Sequence, residues 1–142
     1  MTIDTNKVFD KGEKGTVVLK NGAQFSYRGP WIYLLDGKTT RLDRWHMGTF
    51  MAAEYTVVAE FSNTQKEIIK CIVVAGPDKV DLTVYGKADL GQNLIEISAV
   101  VNNSYVDINL TPISKSITGI DYSKTKAIFQ ATYFESINPI VA

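Results

Sequence analysis

From residue 54 onward, apolar and polar side chains alternate with a period of two. Tyr55, Val57, Ala59 and Phe61 fall on one side of an extended chain, with Glu54, Thr56, Val58 and Glu60 on the other. A strand with one face in a core and one in water reads this way. Ile68 to Ala75 is a nearly continuous apolar run in which Ile69, Cys71, Val73 and Ala75 share a face and Lys70 interrupts the other. It is expected at the centre of a sheet or covered on both sides. Val80, Leu82 and Val84 alternate with Asp81, Thr83 and Tyr85, and Gly86 is the expected end of that strand. Ile95, Ile97, Ala99 and Val101 point inward against Glu96 and Ser98, and Asn102-Asn103 supplies a turn, because Asn tolerates positive φ. Val106, Ile108 and Leu110 alternate with Asp107 and Asn109 up to Pro112, which lacks a ladder donor. A last strand from about residue 125 to 134 sets Ala127, Phe129, Ala131 and Tyr133 on one side.

The first third carries two hairpin signals. Asn21-Gly22 lies between Val17-Val18-Leu19 and Gln24-Phe25-Ser26-Tyr27, and Asp36-Gly37 lies between Trp31-Ile32-Tyr33-Leu34-Leu35 and Thr39-Thr40-Arg41-Leu42. Both dipeptides suit the positive φ of type I′ turns. With a turn at Arg28-Gly29-Pro30, a small β-meander is expected over residues 16–43. Residues 42–51 show no alternation and read as a connector. Short strands, turn chemistry between them and no segment of helical period predict an all-β chain, an antiparallel β-sandwich with a small N-terminal β-hairpin extension. The expected division is a tail and β-meander docking element over residues 1–50, then a β-sandwich domain with a C-terminal tail over residues 51–142.

Composition narrows the chemistry. Lys plus Arg and Asp plus Glu each total 15, so the formal net charge is zero, and neither a nucleic-acid nor a membrane partner is expected. Cys71 is the single cysteine, which excludes an intrachain disulfide and points to synthesis in a reducing cytoplasm. With His46 as the single histidine, a Cys/His zinc site lacks ligands. Asp78, Asp81, Asp89, Asn93 and Asp121 have no EF-hand spacing. Gly12-Glu13-Lys14-Gly15-Thr16 lacks the ending of a phosphate loop. No cofactor or metal is expected. His46 has no partner spaced for nucleophilic catalysis, and Cys71 reads as a core thiol. Glu96 and Asp107 are the nearest thing to a glycosidase carboxylate pair, but alternation places both on an outer face as ordinary surface charges.

What remains reads as contact surface. Trp31, Tyr33 and Trp45 are expected to be exposed, with Lys38, Arg41 and Arg44 near them. Aromatics of this kind anchor protein interfaces and can also stack on sugar rings. Met47 and Phe50 extend the set, and Phe134, Ile137, Ile140 and Val141 make an apolar ending broken by Pro139. These residues either fold back on the domain or pack on a neighbouring subunit. The expected partner interface is therefore Trp31, Tyr33, Trp45, Met47, Phe50, Phe134, Ile137 and Ile140.

One resemblance adds to this. Ala53-Glu54-Tyr55-Thr56-Val57, Gln65-Lys66-Glu67 leading into Ile72-Val73-Val74, and Thr83-Val84-Tyr85-Gly86 come in that order. Leu90 and Leu94, Val106-Asp107-Ile108 with Thr111-Pro112, and Lys126 to Phe134 follow. From about residue 52 to 134 the chain thus resembles a β-rich segment of virion structural proteins from contractile-tailed phages of marine cyanobacteria. The resemblance implies a non-enzymatic virion component with no catalytic residues to carry over. Such a component is a capsid decoration or cement protein, or part of the tail, neck or baseplate, present as a homo-oligomer and bound to other virion proteins. The rival is a carbohydrate-binding module or adhesin that uses its surface aromatics on host glycans.

Overall fold

A computed structural model describes residues 17–18, 24–29, 31–34, 38–91, 93–113 and 125–136. Among them run ten strands and no helix: β1 (Val17–Val18), β2 (Gln24–Arg28), β3 (Ile32–Tyr33), β4 (Thr40–His46), β5 (Phe50–Ser62), β6 (Gln65–Ala75), β7 (Val80–Asp89), β8 (Ile95–Asn102), β9 (Tyr105–Pro112) and β10 (Lys126–Glu135). The larger sheet has the order β1-β2-β10-β5-β6-β7, with β3 also paired to β10, and the smaller sheet has the order β4-β9-β8. Every pairing is antiparallel. The expected all-β sandwich is what the chain forms.

The core lies where the alternation puts it. Tyr55, Val57, Ala59, Ile69, Cys71, Val73, Ala127, Phe129, Ala131 and Tyr133 of the larger sheet are buried, as are Leu42, Trp45, Ile95, Val106, Ile108 and Leu110 of the smaller. Burying a side chain of this size stabilises by about 1.5–3 kcal/mol, so this two-layer core is the main source of stability. Asn103 adopts φ 57° between β8 and β9, as its place in the Asn-Asn turn requires.

Several expectations are corrected. Residues 42–51 are not a connector: β4 runs through Thr40–His46 as an edge of the smaller sheet, and only Met47 to Thr49 turn before β5. A register shift between Arg41 and Asp43 explains why no alternation is legible there, since Leu42 is an extra residue and the period slips by one. The meander over residues 16–43 also dissolves. β1 and β2 pair as the first hairpin signal implies, but β3 joins β10 and β4 joins β9, so the strands flanking Asp36-Gly37 lie in different sheets. Gly86 does not end β7, which continues to Asp89 past an irregularity around Tyr85. β6 lies inside the larger sheet between β5 and β7, as one of its two expected placements has it, but its apolar run is covered on one face only, because Ile68, Ile72 and Val74 are exposed.

β2 and β3 share one edge of β10, and Gly29 lets the chain pass between them. Its N–H donates to the Phe129 carbonyl at 3.0 Å. A Cβ built there would stand 2.3 Å from Phe129 Cε1, in a ring that the core holds in place. Gly29→Ala is expected to destabilise by about 1–3 kcal/mol through overpacking, read as a lower midpoint in urea unfolding.

Candidate interaction surface

The residues expected at an interface divide. Trp45 and Met47 are 4% and 5% exposed and belong to the core, which corrects their reading as surface residues. The reason is β4: as a strand opposite Val106, Trp45 points between the sheets, where its indole N–H donates to Tyr55 Oη at 2.9 Å. Phe50 is half-buried, stacked on Tyr133 with centroids 5.1 Å apart. Trp31 and Tyr33 are 46% and 66% exposed, and Phe134 is exposed as well. Ile137 and Ile140 lie outside the described residues.

A polar network that sequence reasoning missed ties the two sheets together. Tyr55 and Tyr133 both donate to Asp43 Oδ2, at 2.7 and 2.5 Å. Burial, then the adjacent Asp43 charge, pushes the Tyr55 hydroxyl well above its ordinary range. Glu67, at the end of Gln65-Lys66-Glu67, makes a second such contact. It is buried in line with Ile69 and Cys71, and its Oε1 accepts the Leu94 and Ile95 N–H groups at 3.0 Å each. Its Oε2 lies 3.3 Å from Lys87 Nζ. The signal was Glu67's even spacing from Ile69, which puts it on the inward side of the strand.

The titratable groups weighed for catalysis have other occupations. Glu96 pairs across from Thr111 and Asp107 from Val100, so the two carboxylates sit four residues apart along the ladder, about 13 Å. Asp107 is on the outer face as expected but is buried there beneath Arg44, which donates Nε to Oδ1 at 2.6 Å and Nη2 to Oδ2 at 3.0 Å. His46 Nδ1 accepts the Gly48 N–H at 3.0 Å and holds the turn into β5. Cys71 is fully buried, and burial, then the Glu54 charge, pushes its thiol up to about 12. The folded protein is expected to leave Ellman's reagent unreacted at pH 8, with one thiol released on unfolding; fast reaction of the native protein would contradict the buried placement. Among the described residues there is no cluster of three or more His, Cys, Asp or Glu able to hold a metal ion, and no helix long and apolar enough to cross a membrane.

The Arg44 hydrogen bonds hold the Asp107 carboxyl below its ordinary value. The folded carboxylate therefore stays ionised at a pH where the unfolded one takes up a proton. Its contribution to stability is whole above about pH 4 and disappears as pH falls through the lowered folded value. Asp107→Asn is expected to flatten the acid limb of the stability profile, measured by urea unfolding from pH 3 to 7. An unchanged acid limb would show that the pair contributes nothing there.

The outward face of the larger sheet exposes apolar side chains. Register aligns Phe134, Ala52, Val74 and Asp81 in one row and Thr132, Glu54, Ile72 and Thr83 in the next. Ala52, Glu54, Ile72, Val74, Asp81 and Phe134 line a shallow depression across four strands. Ile72 and Val74 are 46% and 56% exposed, so the floor is apolar and solvent-facing. Toward the other end of the same face, Tyr33 pairs with Lys126, and Lys126 with Glu60. Lys126 Nζ lies 5.1 Å over the Trp31 ring and 3.7 Å from Glu60 Oε1, and Lys66 Nζ lies 3.5 Å from Glu60 Oε2.

No family model matches the chain, and no curated protein sequence matches it. Three solved structures are similar in strand arrangement. The Acinetobacter baumannii phage AM24 tailspike shares 11% identity and a TM-score of 0.48, over 78% of this chain and 26% of its own. The Acinetobacter phage vB_ApiP_P1 tailspike shares 13% identity and a TM-score of 0.48, over 80% and 21%. A tailspike of Acinetobacter baumannii bacteriophage Fri1, described as a capsular polysaccharide depolymerase, shares 10% identity and a TM-score of 0.45, over 84% and 19%. This chain thus spans about a quarter or less of each tailspike's length, and all three come from phages of Acinetobacter rather than of cyanobacteria.

Proposed function

We propose that the chain is a non-enzymatic structural component of a phage virion, bound to other virion proteins through the outward face of its larger sheet and its terminal extensions. The observation that carries this is the row Phe134, Ala52 and Val74 with neighbouring Ile72, an apolar floor in water on the one face where a sandwich normally presents polar residues. Neutral net charge suits attachment by shape and apolar contact. The resemblance of residues 52–134 to virion structural proteins supplies the setting: made in the host cytoplasm, assembled in several copies as a head decoration or a tail, neck or baseplate part. Val74→Glu with Ile72→Lys is expected to abolish incorporation into particles while the isolated protein unfolds at an unchanged urea concentration. Full occupancy by the folded double variant would overturn the assignment of this face.

A second reading has its own observation. Trp31 and Tyr33 are two positions apart on an edge of the sheet, both exposed, which is an aromatic platform of the kind that takes a sugar ring. In this reading the protein also touches host-surface glycans, and Trp31→Ala removes binding on a glycan array without unfolding.

A further inference from the structure

The aromatic edge differs from a plain stacking platform in one respect: a group of charged side chains adjoins it. Trp31 and Tyr33 share the outward face with Lys126, and the Lys126 ammonium already stands 5.1 Å over the Trp31 ring. Glu60 lies between Lys126 and Lys66, at 3.7 and 3.5 Å, so the group of three carries one net positive charge. We propose that this edge binds an acidic saccharide, a pyranose bearing a carboxylate, in an inference that rests on the glycan reading above.

The chemistry runs as follows. The electron-rich faces of Trp31 and Tyr33 attract the weakly positive C–H groups on one side of a pyranose. A ring resting there sits beside the Lys126 ammonium, within reach of a carboxylate one bond from the ring. A charge-assisted hydrogen bond to that carboxylate is stronger than an exposed cation–π contact, so Lys126 exchanges the indole face for the ligand. Glu60 competes for the same two lysines and opposes the incoming charge. It sets the specificity in an unusual direction, because removing it is expected to improve binding. A neutral sugar gains the stacking and only an ordinary hydrogen bond from Lys126 or Lys66, without the charge of a carboxylate acceptor.

The full chain is tested on an array of uronate-containing, sialylated and neutral oligosaccharides, with each acidic ligand paired with its methyl ester. Affinity is read in solution from tryptophan fluorescence, in which Trp31 is the exposed one of two tryptophans. The expected result is binding of an acidic oligosaccharide at least tenfold tighter than its ester, weakened by salt. Trp31→Ala and Lys126→Met abolish it, while Glu60→Gln tightens it several-fold. Equal affinity for acid and ester, or binding of neutral glycans alone, overturns the inference and leaves the glycan reading standing. No binding of any glycan overturns both.

Discussion

Tyr55→Ala is expected to destabilise the protein by about 3–5 kcal/mol, the range for losing a fully buried aromatic ring. Tyr55 is completely buried, meets Phe129 and Tyr133 at centroid distances of 5.9 and 6.3 Å, and takes part in a polar network that crosses between the sheets. Its hydroxyl accepts from Trp45 and donates to Asp43. Tyr55→Phe separates the two roles: the ring stays, while the indole N–H loses its acceptor and Asp43 loses a donor, for about 1–3 kcal/mol. Both are read from urea unfolding, against a total margin of about 5–15 kcal/mol for a domain. Proton linkage gives a second readout. The folded Tyr55 hydroxyl holds its proton above the ordinary range, so its stabilisation is whole below about pH 10 and is lost as pH rises beyond that. Tyr55→Phe is expected to shrink the alkaline loss of stability. An unchanged alkaline limb would show that burial does not act on this hydroxyl.

The second large effect centres on Glu67. Glu67→Ala is expected to lose about 2–6 kcal/mol, because two adjacent buried N–H groups, of Leu94 and Ile95, lose their acceptor together at about 1–3 kcal/mol each. Glu67→Gln keeps an oxygen that can accept both bonds and gives up only the Lys87 ion pair, so it is expected to lose less. Lys87→Met tests the reverse, leaving the buried carboxylate without its partly exposed cation, and is expected to lose less than Glu67→Ala because solvent screens the lysine. Amide exchange locates the effect: Leu94 and Ile95 exchange faster in Glu67→Ala while Tyr55 and Val57 do not. Uniform acceleration would mean global loss of stability rather than release of the β7–β8 connection.

These two sites also show what the sequence conveys and what it hides. Where a strand is half-buried and unbroken, the period of two names the inward residues directly, as it does for Tyr55, Val57 and Ala59 and for Ala127 to Tyr133. Irregularity erases that signal. The extra residue at Leu42 hid β4, and with it went the burial of Trp45 and the role of Asp43, which looks like a surface charge until a strand turns it inward. Pairing between distant segments is equally hidden. Asp36-Gly37 is a local hairpin signal, yet β3 and β4 find partners about 60 to 95 residues away in different sheets. Of the expected contact residues, Trp31, Tyr33 and Phe134 are exposed. The apolar floor that Phe134 lines is masked in the sequence because Ile72 and Val74 sit in a run that reads as central to a sheet or covered on both sides.

Quantitative mass spectrometry of purified phage particles is the most direct test of the proposed virion role. A virion component is expected at a fixed ratio to the major capsid protein. That ratio is near one for head decoration, or a small multiple of the tail's rotational symmetry for a neck, tail or baseplate part. Its absence from particles that are otherwise complete would contradict the virion assignment and leave the aromatic edge as the ground for a function.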